Sequence, residues 1–489
     1  MKHDVVIIGS GLGGLQCAYI LAKHGLDVCV LEQNAQMGGC LQSFMRRGVT
    51  FDTGFHYVGG LSENGPLRRL LSYFGLMDLP WQPLDAASFD EVCLKGVSYP
   101  FATGHEAFVE TLSEKFPSQH DNLKQYDAAL RGVGQHLFDS LHPRSASDFY
   151  NDTAFSRPAY TFLQNTVTDA TLRSVLAGTS LKLELDSKQL PFYVYAQINN
   201  SFVEGAARLH GGGQMLVDSL CNELRSMGVT LVTDAPVVKL AATNRVISAA
   251  LTADGRAYEG RQFISDVHPA VTLQLVDEKM NLRKVYRNRI CSMENTRGMF
   301  TVNLALKPGV LPYLNRNLFV YASDDMWHVN KSGHVDAVMV SYACPPAGSP
   351  YAHTVDLLTP MSFSEVAQWQ GTRVGHRGAD YEKLKKQKAE QCIALAERRL
   401  PGLRSAVDHL YTSTPLSYLD YTSTPEGSAY GLRKDCGNVM LSFLTPKTPI
   451  DNLYLTGQNL NLHGVLGVSM TAFFTCSSII GLETATEGL

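Results

Sequence analysis

A glycine-rich turn near the start of the chain has the residue types and spacing needed to hold phosphate groups. Gly9, Gly11 and Gly14 follow the apolar run Val5-Val6-Ile7-Ile8 and precede a helical pattern. The first glycine permits a sharp turn, the second lets the backbone approach a pyrophosphate, and the third lets a helix pack closely on a strand. The free N–H groups at the start of that helix then face the phosphates. The turn therefore predicts a site for an adenine dinucleotide.

The elements that must position this turn are a strand before it, a helix after it and a second strand that ends in an acid. Residues 15–24 are typical of a helix ended by Gly25, and residues 28–31 of the next strand. Glu32 follows, close to the spacing at which a carboxylate accepts hydrogen bonds from a ribose hydroxyl. The alternative is a glycine-rich turn without a ligand, and the complete order of elements argues against it.

Four further blocks of the sequence carry glycines or polar side chains in patterns that this turn does not explain. They are Gly38-Gly39-Cys40-Leu41 in a polar loop, Phe51-Asp52-Thr53-Gly54-Phe55-His56-Tyr57, the mid-chain Gly211-Gly212-Gly213-Gln214-Met215, and Leu455-Thr456-Gly457-Gln458-Asn459 with Gly464-Val465-Leu466-Gly467-Val468 after it. The last block is typical of a strand that enters a glycine turn and continues into a long apolar helix.

With these blocks the chain resembles, over essentially its whole length, the phytoene-desaturase-related family of FAD enzymes. That family includes carotenoid desaturases, carotenoid cis–trans isomerases and all-trans-retinol 13,14-reductase (retinol saturase). The blocks around His56 and Gly457 are most similar to the saturase and isomerase branch. The resemblance implies an α/β fold, with a Rossmann-like FAD-binding domain of the amine oxidase and phytoene desaturase type and an α+β substrate domain. Because the sequence has no second G-x-G-x-x-G pattern, one bound dinucleotide is expected.

The predicted FAD-binding domain is discontinuous in the sequence. It is expected to comprise residues 1–75, 206–275 and 445–489, and the substrate domain residues 76–205 and 276–444. Within these segments, residues 246–252 are predicted to form a strand, and residues 381–400 a helix ended by Pro401-Gly402.

The resemblance also implies which residues hold FAD. The backbone of Val237 is expected to contact the adenine, and the helix that begins near Gly464 is expected to face the flavin ring, where its dipole stabilises negative charge. The predicted cofactor-binding residues are Gly9, Ser10, Gly11, Leu12, Gly13, Gly14, Glu32, Gln33, Gly38, Gly39, Cys40, Leu41, Ser43, His56, Val237, Gly457, Gln458, Leu466, Gly467 and Val468.

The candidate catalytic residues are His463, His56 and Tyr430. A flavin gives or takes the hydride, and saturating a C=C bond also needs a proton donor within hydrogen-bond reach of the neighbouring carbon. The alternative role for the two histidines is to position the flavin or its loop. Arg208 and His210 replace residues that are usually apolar or aromatic in the saturases, which indicates a substrate with a polar or acidic head group.

The preferred interpretation is an FAD-dependent oxidoreductase that acts on CH–CH bonds of a hydrophobic polyene or isoprenoid-like substrate. Saturation, as in retinol 13,14-reductase, is favoured. The alternatives are a carotenoid-type desaturase or cis–trans isomerase, and an amine-oxidase-like flavoenzyme. Some amine oxidases carry a cysteine linked to FAD, and Cys436 and Cys476 are not in the expected sequence setting. The external electron donor, NAD(P)H or reduced flavin, stays open.

Composition limits the class of protein. The chain has 489 residues, 45% of them hydrophobic, and a net charge of −4, so it can bury large cores and has no basic signature for nucleic acid. Ten cysteines without metal-type spacing predict reduced thiols, no metal site and a cytoplasmic protein. The uncharged residues 464–482 favour a buried helix over a membrane span. Basic residues at 283–289 leave open a peripheral contact with the inner face of the membrane, against a solvated helix face.

Overall fold

Short runs of aliphatic and β-branched residues form two large sheets in the computed structural model, which describes residues 2–141, 153–243, 246–277, 280, 282–330 and 333–489. Eight of the eighteen described strands are buried along their whole length, in keeping with the apolar composition. The strands are β1 Lys2–Ile8, β2 Val28–Leu31, β3 Ser43–Arg46, β4 Val49–Asp52, β5 Trp81–Pro83, β6 Asp90–Leu94, β7 Val97–Phe101, β8 Ala207–Leu209, β9 Thr230–Val232, β10 Val237–Thr243, β11 Val246–Thr252, β12 Ala257–Ser265, β13 Gly298–Leu306, β14 Asn317–Tyr321, β15 Ala337–Tyr342, β16 Thr354–Met361, β17 Val407–Ser413 and β18 Leu453–Leu455.

Helices pack on both sheets and fill the space between them. The described α-helices are α1 Leu12–Lys23, α2 Pro66–Tyr73, α3 His105–Lys115, α4 His120–Gln135, α5 Thr153–Ser156, α6 Ala159–Thr166, α7 Ala170–Gly178, α8 Phe192–Val203, α9 Gly212–Ser226, α10 Pro269–Leu275, α11 Lys284–Cys291, α12 Ala379–Glu397, α13 Leu403–Ala406, α14 Pro415–Thr422, α15 Val439–Ser442, α16 Gly464–Ile480 and α17 Leu482–Ala485. None of these helices is long and apolar enough to cross a bilayer.

The first sheet sets the position of the glycine turn. Its strand order is β10-β11-β12-β1-β2-β9, and β18 also pairs with β12. The strands β18, β12, β1, β2 and β9 run parallel, with Ile8 aligned to both Leu31 and Ser265, and Ser265 aligned to Leu455. Because the carboxyl ends of parallel strands meet at one edge, the residues that follow these strands lie side by side. Those residues are Gly9, Glu32, Asp266 and Thr456.

The second sheet is almost entirely antiparallel. Its order is β17-β13-β16-β15-β14-β6-β7, and β14 with β6 is its one parallel pair among the described strands. The sheet is built from segments that lie, in the sequence, between those of the first sheet. Strands β3 and β4 form a separate hairpin, and β5 pairs with β8.

Helix α1 links the glycine turn to the far end of the chain. It packs against α16, and Gln16 donates a hydrogen bond from Nε2 to Ser469 Oγ over 2.8 Å. Both side chains are fully buried, so the hydrogen bond satisfies two polar groups that water cannot reach. Residues more than four hundred positions apart therefore form one packed unit.

The predicted fold class, an α/β fold with a Rossmann-like dinucleotide domain, is confirmed. The strand predicted at 246–252 is β11, and the helix predicted at 381–400 is α12, which ends three residues earlier. Helix α1 begins at Leu12, earlier than residue 15. The reason is that Gly9, at φ +94°, makes the turn by itself. Gly11 is then the N-cap, and Gly13 and Gly14 already lie in the first helical turn.

The fold predicts opposite effects for two helical glycines. A Cβ on Gly14 of α1 would collide with the carbonyl oxygen of Gly9, whereas a Cβ on the exposed Gly132 of α4 would meet no atom within 4 Å. We expect Gly14→Ala to lower the free energy of unfolding by about 2 kcal/mol through overpacking. Gly132→Ala should raise it by about 0.5–1 kcal/mol through helix propensity. Urea unfolding of both variants measures the two effects, and equal stabilities would contradict the close packing of the turn.

Candidate functional site

A cavity of about 560 Å³ begins where the parallel strands of the first sheet end and continues to the second sheet. All predicted cofactor-binding residues except Gly14 and Ser43 line it, as do the three predicted catalytic residues. Gly14 lies behind the turn, and Ser43 donates its hydroxyl to Asp52 Oδ1 over 2.7 Å. The tertiary structure thus brings together residues from both ends and the middle of the chain.

The glycine turn requires glycine because other backbone comes very close to it. A Cβ on Gly13 would lie 3.0 Å from the backbone N of Gly457, and a Cβ on Gly39 would lie 3.2 Å from the Cα of Gly11. The N-cap residue of α1, Gly11, has no side chain to cap the helix. The N–H of Gly14 bonds to Asp266, and those of Leu12 and Gly13 are available to an anionic ligand in the cavity.

Glu32 joins the loops around the turn. Its Oε2 accepts hydrogen bonds from Ser10 N (3.1 Å) and Ser10 Oγ (2.5 Å), and its Oε1 accepts from Asn34 N (2.9 Å) and Asn34 Nδ2 (3.0 Å). Ser10 Oγ in turn accepts from Gly38 N over 3.1 Å. The four acceptor positions of the carboxylate are used, so a ribose hydroxyl would have to share one of them.

Asp266 lies between the two glycine turns, and sequence reasoning missed it. Its carboxylate is the nearest group to the Cβ positions of both Gly13, at 2.6 Å, and Gly457. The available signal was its position directly after β12, at the edge where ligands of parallel sheets bind. Burial raises the pKa of Asp266 to about 7, the charge of Glu32 adds to this, and the N–H of Gly14 opposes it. The site therefore favours a neutral carboxyl group here.

The mid-chain glycine block supports the second loop of the cavity. A Cβ on Gly213, in the first turn of α9, would lie 2.6 Å from the carbonyl oxygen of Leu41. Asp52 Oδ1 accepts a hydrogen bond from Gly213 N over 2.9 Å. Burial raises the pKa of Asp52 to about 6, and the hydrogen bonds from Ser43 and Gly213 oppose the shift. Asp52 thus fixes its own loop against α9.

The far end of the dinucleotide site is formed by the turn after β18 and by helix α16. Gly457 adopts φ +87°, and His463 is the N-cap of α16 without a side-chain cap. Lys434 holds this segment, because its Nζ donates to the carbonyls of Asn459 (2.7 Å), Leu460 (3.1 Å) and Ser442 (3.0 Å). Burial lowers the pKa of Lys434 to about 7.

Two of the three predicted catalytic residues already bond to backbone carbonyls. The Nε2 of His463 donates to Lys182 O over 3.0 Å, and the hydroxyl of Tyr430 donates to Leu181 O over 2.6 Å. The two rings lie 4.6 Å apart. Burial lowers the pKa of His463 to about 4, the charge of Lys434 adds to this, and the Lys182 carbonyl opposes it. His463 is therefore a neutral imidazole with Nδ1 unprotonated.

His56 is the predicted catalytic residue with an unused ring nitrogen. Its Nε2 is buried and has no hydrogen-bond partner within the described residues. Its Nδ1 lies 3.6 Å from Asp356 Oδ2, a carboxylate that also accepts from Asn303. An orphaned buried nitrogen on a cavity wall is a group that a ligand can satisfy.

A buried lysine lines the cavity near this end, and the sequence analysis did not find it. Lys182 Nζ donates to Asp90 Oδ2 over 2.9 Å and to the hydroxyl of Tyr57 over 3.0 Å, and Tyr57 donates to the same Asp90 oxygen over 2.8 Å. Burial lowers the pKa of Lys182, and Asp90 opposes that shift. The sequence does not indicate that Lys182 is buried at this cavity, because an isolated lysine on a short turn is usually exposed.

Arg208, which the sequence analysis linked to a polar substrate head group, does not line the cavity. It is buried and donates to Arg316 O over 2.9 Å and to Asn317 Oδ1 over 2.7 Å. Asn317 Nδ2 then donates to Asp90 Oδ1 over 3.0 Å. Arg208 thus supports the partner of Lys182, and His210 also lies outside the cavity lining.

The substrate end of the cavity is apolar. The aliphatic and aromatic side chains that line it there are Leu67, Ile198, Phe202, Met299, Met339 and Leu358. Of the aromatic residues on α8, Phe202 reaches the cavity, whereas residues 192–195 pack in the core. Within the described residues, no group of three or more His, Cys, Asp or Glu side chains is arranged to hold a metal ion.

Comparisons with known proteins agree with this geometry. Residues 7–74 match a family model described as an NAD(P)-binding Rossmann-like domain. The chain is 26% identical to the all-trans-retinol 13,14-reductase of Homo sapiens, over 98% of this chain and 86% of that protein. It is 22% identical to a chloroplastic prolycopene isomerase of an Oncidium hybrid cultivar, over 94% of this chain and 80% of that protein.

A solved structure shows the same fold. Putrescine oxidase bound to putrescine matches with a TM-score of 0.65 and 16% identity, over 100% of this chain and 99% of that one. The Rossmann-like segment and this fold indicate a cofactor of the flavin type. The similarity to retinol reductases and carotenoid isomerases over almost the whole chain supports the resemblance to the phytoene-desaturase-related oxidoreductases.

Proposed function

We propose that the protein binds FAD and transfers hydride between the flavin and a C=C or C–C bond of a hydrophobic polyene or isoprenoid-like substrate. The observation that carries the proposal is the continuity of the cavity from the two glycine turns to the apolar end. A long apolar ligand can approach the end of a dinucleotide there without crossing a polar surface. The names of the relatives, a retinol reductase and a prolycopene isomerase, support a polyene.

The residues around the two glycine turns fit FAD. Two helix N-termini, of α1 and α16, face the cavity without side-chain caps, and a dinucleotide diphosphate needs such N–H groups. We propose that Gly9, Ser10, Gly11, Leu12 and Gly13 hold the diphosphate, Glu32, Gln33 and Val237 the adenosine, Gly38, Gly39, Cys40, Leu41 and His56 the ribityl side, and Gly457, Gln458, Leu466, Gly467 and Val468 the ring, whereas Gly14 and Ser43 support the site from behind its lining. The domain division into 1–75, 206–275 and 445–489 against 76–205 and 276–444 belongs to the same proposal.

The chain's own side chains must hold the alkene and move one proton, because the bound flavin supplies or accepts the hydride. His56 is the candidate for the proton transfer, since its Nε2 is unused at the cavity wall. His463 and Tyr430 are proposed to act at the same end by fixing the backbone at 181–182, because their donors are bound to carbonyls there. The apolar lining excludes water from the reacting carbons.

Saturation is the favoured direction, and desaturation or cis–trans isomerisation is the second candidate, which the prolycopene isomerase relative supports. Saturation consumes a reduced flavin, so an external donor, NAD(P)H or a reduced flavin, belongs to the proposal.

We also propose a cytoplasmic protein with peripheral membrane contact through α11, where Arg283, Lys284 and Arg287 surround Val285, which is 82% exposed.

Anaerobic mixing of photoreduced, FAD-loaded protein with all-trans-retinol or prolycopene tests the proposal. Saturation should reoxidise the flavin and shorten the chromophore of the polyene, which absorbance spectra follow. Isomerisation should leave the flavin reduced and change the double-bond geometry, which chromatography detects. Protein that binds flavin but changes neither polyene under these conditions would contradict the proposal.

An amine-oxidase-like reaction is the remaining alternative. Some amine oxidases hold FAD through a covalent bond to a cysteine, and this form of the alternative can be tested. Cys436 and Cys476 do not line the cavity, and Cys40 is its one cysteine among the described residues. Burial raises the pKa of the Cys40 thiol to about 11, which disfavours the reactive thiolate. We expect acid precipitation to release all of the flavin into the supernatant, and flavin that stays with the pellet would contradict this.

The Asp266 carboxyl predicts that FAD binding weakens as the pH rises. Its pKa is already about 7 without a ligand, and a nearby diphosphate favours the neutral form further. Affinity should therefore be highest below pH 7 and fall by about tenfold or more between pH 6 and pH 8.5, by proton linkage. Flavin fluorescence titrations measure this dependence.

Asp266→Asn removes the titrating group and keeps the size of the side chain, so its affinity should vary much less over the same range. Glu259→Gln, exposed on the same strand β12, is the matched control and should follow the unchanged protein. Equal pH dependence in Asp266→Asn and the control would rule out Asp266 as the group responsible.

A further inference from the structure

The only Lys or Arg side chain among the described residues that line the cavity is Lys182. It lies at the end where the substrate is proposed to react, next to Tyr57 and Phe202. The Lys182 side chain is 10% exposed and its partner Asp90 is fully buried, so the ammonium group borders the cavity and the carboxylate stands behind it. A charge at such a boundary acts strongly on a ligand, because little water screens it.

Lys182 and Asp90 form a buried ion pair, and the ammonium group is the member of the pair that borders the cavity. Asp90 accepts from Lys182 and Tyr57 through one oxygen, and from Asn317 through the other. The side-chain oxygen of Asn317 accepts a hydrogen bond from Arg208. The Asp90 carboxylate therefore accepts directly from the Lys182 ammonium group, and it is linked to the Arg208 guanidinium through the Asn317 amide. Tyr57 adds no charge, because burial and Asp90 raise the pKa of its phenol well above the usual value.

The ammonium group already interacts with a π system. Lys182 Nζ lies 3.7 Å from the centroid of the Phe202 ring, and that ring lies 4.5 Å from the ring of Tyr57. Phe202 and Lys182 both line the cavity, so a conjugated ligand beside Phe202 is within reach of the same charge.

We propose that Lys182 is an additional catalytic residue, whose ammonium group stabilises the negative charge that hydride addition places on a conjugated chain. The inference rests on the hydride-transfer function proposed above. In saturation, one alkene carbon accepts a hydride and its electron pair from the reduced flavin, which is oxidised. The displaced π pair spreads over the conjugated chain and then takes up one proton, so two C–H bonds form.

The sign of the charge separates an anionic route from a cationic one. Hydride addition makes the conjugated chain transiently negative, and a fixed cation lowers the energy of that state without reorganisation. A route that begins with hydride removal makes the chain positive, and the same cation raises its energy. A buried cation at this end of the cavity therefore fits a reaction that passes through a negatively charged chain.

The test compares a variant in which neutral side chains replace both Lys182 and Asp90 with a variant that keeps the positive charge at position 182. Lys182→Met alone would leave Asp90 as a buried, uncompensated carboxylate, which is strongly destabilising. The test variant is therefore the double substitution Lys182→Met with Asp90→Asn. Lys182→Arg keeps the charge, and Lys386→Met on the exposed face of α12 is the control for loss of a lysine. Melting temperature and flavin content establish that each variant folds and is loaded.

In anaerobic single-turnover mixing of dithionite-reduced protein with all-trans-retinol, the double variant should reoxidise its flavin about 100-fold more slowly. Lys182→Arg should stay within about tenfold of the unchanged protein, since the charge remains. The Kd of retinol for the oxidised protein should change little. An unchanged rate constant of flavin reoxidation in the double variant would overturn the proposal. If the Kd of retinol were weakened as well, Lys182 would bind the polar head group of the substrate and would not act on the reaction.

A measurement without substrate tests the same charge. The reduced flavin ring is the more negative form, so loss of a nearby cation should make the midpoint potential of the bound flavin more negative in the double variant and not in Lys182→Arg. Equal potentials in all variants would show that the charge does not reach the reacting site. If neither retinol nor prolycopene reoxidises the unchanged protein, the hydride-transfer function fails, and the potentials still decide the role of Lys182.

Discussion

The close approach of two glycine turns, with the Asp266 carboxyl between them, is the constraint on which the rest of the structure depends. A Cβ on Gly13 would lie 3.0 Å from the backbone of Gly457, so neither turn tolerates a larger residue or a wider separation. Strand β12 enforces the approach because it pairs with β1 on one side and β18 on the other. The beginning and the end of the chain are thereby held on a single binding edge, and the cavity opens from it.

The cavity divides into two electrostatic environments. Around the two glycine turns the described lining has no Lys or Arg, the N-termini of α1 and α16 supply positive dipole ends, and burial raises the pKa of the Asp266 carboxyl to about 7. At the substrate end the lining is apolar, with one ammonium group at its boundary. Such a division suits a reaction in which the cofactor is anionic, the substrate is apolar and charge appears transiently on the substrate.

The buried polar network behind the substrate end shows why sequence patterns misassign side chains. Arg208 indicated a polar substrate head group, but it is bound to Asn317 and so supports Asp90, which in turn holds Lys182. The Asn317 amide links Arg208 to Asp90, because its oxygen accepts from the guanidinium and its nitrogen donates to the carboxylate. A resemblance gives the type of residue at a position, whereas only the packing shows whether its side chain faces the ligand or the core.

The sequence by itself determined the glycine turn and the Rossmann-like fold class, and most of the cofactor-binding residues that it predicted line the cavity, because glycine spacing and strand–helix order are local requirements of the backbone. It could not identify Asp266, Lys182 or Lys434, which carry no local motif. Their roles depend on desolvation and on partners far away in the chain, such as Asp90 for Lys182. Those are properties of tertiary packing, and so the electrostatic character of the site was decided only when the chain had folded.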